Sequence, residues 1–181
     1  LLIALTTVFV GSEFALVKVR STRIDQLAAE GNGSARVVKK MIKNLDYYLS
    51  ACQLGITVTS LGLGWLGEPT FDKLLHPLFE LIHLPDALTT TISFIVSFII
   101  VTYLHVVLGE LAPKTLAIQH TEKLALLYSR PLYYFGVVMK PLIWLMNGSA
   151  RMIIRMFGVV PDANNDAMLE KEKKIIINNS Y

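Results

Sequence analysis

Three stretches of the chain are apolar over most of a membrane's thickness, and polar segments separate them. Residues 1–17 are apolar except for Glu13, and this run is expected to be the first spanning helix, trimmed at its start. Residues 47–67 carry no charge, and as a helix they reach roughly 31 Å, enough for the hydrocarbon core. Tyr47, Tyr48 and Trp65 lie near the two ends of that run, where interfacial aromatics belong. Residues 87–108 are the third run, about 33 Å as a helix, with His105 and Tyr103 as its titratable groups.

The segments between them read as helices at the membrane surface. Residues 18–46 hold a GNGS turn at 31–34 between two short amphipathic helices. FDKLLHPLFELIHL, residues 71–84, is too short and too charged to span and is expected to lie in the surface plane. Residues 124–158 are apolar but contain Arg130-Pro131 and Lys140-Pro141. They are expected to form interfacial helices turned at the prolines, not a fourth span. The predicted fold is an all-α membrane protein with three transmembrane helices and juxtamembrane helices.

Composition agrees. Apolar residues make up 53% of the 181 and charged ones 17%, against roughly a quarter charged in soluble domains, and mean hydropathy is +0.51. The placement of charge adds an orientation. Residues 18–46 carry Lys18, Arg20, Arg23, Arg36, Lys39, Lys40 and Lys43, whereas 68–86 carry Glu68, Asp72, Glu80 and Asp86 against Lys73. The positive-inside rule puts the first loop in the cytoplasm, the N-terminus outside and the end of the third helix back on the cytoplasmic side. The basic residues are not interleaved with aromatics, so no nucleic-acid partner is expected. One cysteine, Cys52, excludes an internal disulfide.

Candidate chemistry gathers at GELAPK, residues 109–114. Ionisable residues at membrane depth are rare and costly, which marks Glu110; the plain alternative is an interfacial carboxylate paired with Lys114, one helical turn on. Pro113 cannot donate to the carbonyl four residues back, that of Gly109. A bare carbonyl beside a carboxylate suits a hard cation, and broken helices at membrane depth line cavities and ion sites. Ser12 and Glu13 of the first helix, and Gln53, Gly55, Thr57, Thr59 and Ser60 of the second, fall at similar depth. Helix packing accounts for any one of these small polar residues. His105, five residues before Glu110, falls off its helical face and reads as structural. The four histidines make no zinc spacing. No nucleophile–base pair or phosphate-cradling glycine loop appears, so an enzyme is not expected.

GSEFALVKVR at 11–20, LSACQLGITVTSLGLGWLGEP at 49–69 and GELAPKTLAIQ at 109–119, in this order, resemble the CorC/CNNM family, also called hemolysin-like, and within it the Bacillus-type magnesium exporters. The resemblance implies a transmembrane domain over 1–160. It also implies a linker over 161–181 toward a CBS-domain pair, through which alone ATP would act. It implies a homodimer in a bacterial plasma membrane, with the C-terminus cytoplasmic, that exports Mg2+ by alternating access, driven by inward Na+. The family's metal site would map onto Ser12, Thr57, Ser60, Gly109 and Glu110. Glu13, Gly55, Gln53, Pro113 and Lys114 form a secondary set that completes the site or shapes its helices. Where many members carry asparagines in a GNNLVN-like stretch, this chain has GITVTS, with Thr57 and Ser60. A membrane-embedded cation sensor or scaffold without transport is the alternative. A toxin-like pore lacks a long amphipathic helix to support it, and a softer transported metal is disfavoured by oxygen-only ligands.

Overall fold

The computed structural model describes residues 1–159, so the expected linker over 161–181 lies outside the described residues. Among these residues every regular element is helical: α1 (Leu2–Lys18), α2 (Ser21–Ala29), α3 (Gly33–Lys43), α4 (Leu45–Glu80), α5 (Asp86–Leu104), a π-helical segment (His105–Leu111), α6 (Ala112–Gln119), α7 (Thr121–Val138) and α8 (Lys140–Met156). Residues 1–140 form one compact unit, and the second begins at Pro141.

Two helices are long and apolar enough to cross a membrane: α4, and the continuous run from Asp86 to Gln119 through α5, the π segment and α6. A third crossing exists if α1 and α2, bent by 96° between Lys18 and Ser21, count as one span. The chain is thus a membrane protein by length and composition. In lipid each backbone amide must find its partner within the segment, which favours helices.

α4 corrects one expectation. Residues 71–84 do not form a separate surface helix; up to Glu80 they continue α4, which runs 36 residues, about 54 Å, with Pro69 and Pro77 inside it. Each proline forfeits one ladder bond. Packing offsets the loss: α5 returns antiparallel along α4, burying Thr89, Ser93, Ser97 and Val101 at four-residue spacing. Small residues in that stripe allow close helix approach. Ser93 donates its hydroxyl to the Asp72 carboxylate, tying the two helices beyond the uncharged run. The opposite face of α5 exposes Phe94, Ile95, Phe98 and Ile99, a surface suited to lipid.

α1 is the hub of the first unit and packs on α4, α6, α7 and the π segment. Its lower half meets Ala117 and Ala125 through Ala15. Higher up, Phe9 lies edge-on to Phe135 at 4.8 Å. Phe9 also presses on Gly55, where an added Cβ would come within 2.5 Å of its ring, so α4 needs glycine there. The expected turn between α2 and α3 is present. Gly31 adopts φ +95, which suits glycine, and the Asn32 side chain caps α3 by accepting from the Ala35 N–H.

α7 corrects a second expectation, because Pro131 sits inside it without turning the chain. The break falls before α8, whose second residue is Pro141, a position where the missing N–H costs no ladder bond. Neither helix meets the length and hydropathy of a span.

Candidate metal site

The third span changes its winding at the predicted corner. From His105 to Leu111 the backbone is π-helical, and the Ala112 N–H reaches back five residues to the Val107 carbonyl. In that register the donor missing at Pro113 falls opposite Leu108, not Gly109 as α-helical counting suggests. The Leu108 carbonyl instead accepts from the Thr7 hydroxyl of α1 at 2.9 Å. Gly109 is buried, with the Thr6 methyl and the His105 ring where its side chain would stand.

The π winding overturns the reading of His105. In an α-helix, residues five apart lie about 140° apart around the axis; the π turn brings them to one side. His105 Nε2 lies 3.2 Å from Glu110 Oε1 and 3.2 Å from Ser60 Oγ of α4. Its Nδ1 is buried without a hydrogen-bond partner. With a proton on Nε2 the ring donates to the Glu110 carboxylate, and the Ser60 hydroxyl lies at the same distance from that nitrogen. Glu110 is half-exposed and pairs with His105, not with Lys114. Lys114 instead holds its ammonium over the Phe14 ring, 5.1 Å from the centroid.

Below this contact a cavity of about 350 Å³ opens between α1, α4 and the π segment. Glu13, Gln53, Glu110 and Lys114 supply its polar wall, and Val10, Phe14, Ile56 and Leu111 the apolar one. Gln53 Nε2 donates to Glu13 Oε1 at 2.9 Å. The cavity therefore offers two carboxylates from different helices, an amide and one ammonium. Among the described residues no three His, Cys, Asp or Glu side chains gather closely enough to hold a metal ion. A cation here would meet Glu13, Glu110 and neutral oxygens, and keep some of its own waters, as Mg2+ does.

The remaining candidates lie elsewhere. Ser12 is buried on the other side of α1, beside Met41, Tyr128 and Ser129, and donates to its own helix at the Val8 carbonyl, 2.6 Å away. Thr57 is exposed on α4. Ser60 reaches Glu110 only through His105. Gly55 serves the contact with Phe9, and Pro113 is buried in the first turn of α6. Thr59 accepts from Thr6 at 2.7 Å and donates to the Gly55 carbonyl, which pins α1 to α4 just above the cavity. His105 and Thr7 are the contacts that residue-type reasoning missed. The available signal was the glycine and proline flanking Glu110, since π turns recur at functional positions.

Known proteins resemble the chain along its whole length. Residues 1–181 match the family model described as CNNM, the Cyclin M transmembrane N-terminal domain. The UPF0053 protein YhdP of Bacillus subtilis (strain 168) is 54% identical over 181 residues, covering 99% of this chain and 41% of its own length. The UPF0053 protein YrkA of the same organism is 50% identical over 182 residues, 100% of this chain and 42% of YrkA. A Mycobacterium tuberculosis (strain CDC 1551 / Oshkosh) protein is 40% identical over 161 residues, 89% of this chain and 46% of that protein. The chain thus spans less than half the length of these relatives.

Proposed function

Since the chain belongs to the CNNM family of membrane domains, a family consistent with divalent-cation transport, we propose that it carries Mg2+ out of the cell, in exchange for inward Na+, by alternating access. The observation that carries this reading is the cavity that Glu13 and Glu110 share between apolar helices. Two carboxylates facing one cavity are costly at membrane depth unless a cation joins them. Hard oxygen donors suit Mg2+ and Na+ over softer metals.

In this reading Glu110 leaves His105 when the cation arrives, and Glu13 supplies the second charge. The Gly109 carbonyl and the hydroxyl of Ser60 lie on the same segments and complete the ligand set as the helices shift. Ser12 and Thr57 join it only if α1 and α4 turn about their axes, a movement of the kind that exchanges inward- and outward-facing states. The protein acts as a homodimer in the bacterial plasma membrane, with the 18–46 loop and the C-terminus cytoplasmic and the N-terminus outside. ATP acts on the longer protein through a CBS pair.

One observation favours a second reading. Glu110 already has a protein partner in His105, as a structural carboxylate in a cation sensor or scaffold would. Mg2+ flux into liposomes carrying the full-length protein separates the two. Saturable flux that follows a Na+ gradient and is abolished by Glu110→Gln is the expected result. Wild-type protein that moves no Mg2+ under any gradient would leave the sensor, and unchanged flux in the variant would move the site away from Glu110.

A further inference from the structure

The elbow between α1 and α2 holds a second cavity, about 570 Å³, lined by Lys18, Arg20, Arg23, Gln26, Thr121 and Glu122 among others. Its charge is unbalanced. Arg23 is engaged, with Nε 3.2 Å from Glu122 Oε2 and a terminal nitrogen 3.0 Å from Gln26 Oε1. The other ion pairs among the described residues join Lys39 to Asp25, His76 to Glu80 and His105 to Glu110. Lys18 and Arg20 therefore face the cavity without a carboxylate.

Backbone donors add to them. α2 starts at this wall with no side-chain cap. The Arg20 carbonyl takes the N–H groups of Arg23 and Ile24, which leaves those of Ser21 and Thr22 unpaired. Helix starts of this kind favour phosphate oxygens.

The surroundings say which phosphate. Lys18 ends the apolar α1, and Val17 just before it is exposed. Ile118, three residues before Thr121 on the other approach to the cavity, is exposed as well, as is Leu116. A cationic cavity at the charged end of an apolar helix, flanked in sequence by exposed aliphatic residues, suits a molecule with a phosphate and a hydrocarbon tail. We infer that this elbow binds the headgroup phosphate of an anionic membrane phospholipid. Arg20 and Lys18 meet the charge, the first turn of α2 meets the phosphate oxygens, and the acyl chains lie along Val17 and Ile118. The site is separate from the cation cavity and does not depend on transport.

Native mass spectrometry of the full-length protein, released from nanodiscs of mixed phosphatidylglycerol and phosphatidylcholine, tests this. Wild type should retain phosphatidylglycerol over phosphatidylcholine, and Lys18→Gln/Arg20→Gln should lower that preference by about tenfold or more, since each cation near an anionic surface contributes about 1 kcal/mol. Arg20→Gln alone should give a partial loss, which keeps the test informative if the double variant folds poorly. Arg151→Gln/Arg155→Gln removes the same net charge from α8 and should leave the preference intact. No preference in wild type, or equal loss in both double variants, would overturn the site. Displacement of the lipid by inorganic phosphate alone at similar concentration would overturn the lipid assignment in favour of a soluble anion.

Discussion

The imidazole of His105 lies 3.2 Å from the carboxylate of Glu110, five residues further along the same helix, because the chain is π-wound between them. The contact depends on Pro113, whose missing N–H ends the ladder opposite Leu108 and leaves that carbonyl to Thr7. Pro113→Ala restores a donor and lets the span relax to α winding, which carries Glu110 off the imidazole. The protein should be about as heat-stable as wild type, because Pro113 sits in the first turn of α6 and the carbonyl it leaves free is already taken by Thr7. Mg2+ flux should nevertheless fall several-fold. Unfolding midpoints and liposome flux measured on the same preparation check this; a stable variant with full flux would show that the π turn is dispensable.

Gly55 and Gly64 of α4 make opposite predictions. A Cβ on Gly55 would lie 2.5 Å from the Phe9 ring, which Phe135 backs at 4.8 Å. Gly55→Ala should therefore destabilise by about 1–3 kcal/mol, the usual cost of overpacking. At Gly64 nothing lies within 4 Å, so Gly64→Ala should be neutral or slightly stabilising through helix propensity. Thermal unfolding in detergent compares the two directly.

Much of the fold was legible because lipid leaves a one-dimensional record. The uncharged runs at 47–67 and 87–108 fall within α4 and the third span, and GNGS marks the turn at Gly31. The extension of α4 through Pro69 and Pro77 was not legible. Its lost ladder bonds are offset by a partner helix and by Ser93 on Asp72, contacts that no local pattern encodes. The depth of Glu13, Gln53 and Glu110 could be counted from the helix ends, and they share a cavity. Which way each side chain faces could not. Ser12 and Glu13 are neighbours in sequence, yet Glu13 lines the cavity and Ser12 is packed against Met41 and Tyr128, and the extra residue in the π turn that brings His105 to Glu110 leaves no mark in composition.

Thr6 and Thr59 are a measurable bolt between α1 and α4. Thr6 donates to Thr59 at 2.7 Å, and Thr59 donates in turn to the Gly55 carbonyl at 2.9 Å. Each hydroxyl has a fallback, because Thr6 also reaches the Leu2 carbonyl at 3.0 Å. Thr6→Val and Thr59→Val should each cost little, and the double-mutant cycle should return a coupling of about 0.6 kcal/mol, the average for hydrogen bonds between membrane helices. A coupling of zero would mean that this hydrogen bond adds nothing to the other contacts between the two helices.

Glu13 separates a one-carboxylate site from a two-carboxylate site. It lines the same cavity as Glu110, and its Oε1 is held by Gln53 Nε2 at 2.9 Å. Glu13→Gln keeps the shape but removes the charge, and a divalent ion that keeps several waters depends on charge more than on any one ligand distance. Mg2+ affinity, measured by calorimetry on the full-length protein, should fall about tenfold or more in Glu13→Gln and in Glu110→Gln. Gln53→Leu, which frees Glu13 without neutralising it, should weaken binding less than either. If Glu13→Gln binds Mg2+ as wild type does, the cavity holds the ion through Glu110 and neutral oxygens, and the role of Glu13 reduces to anchoring Gln53.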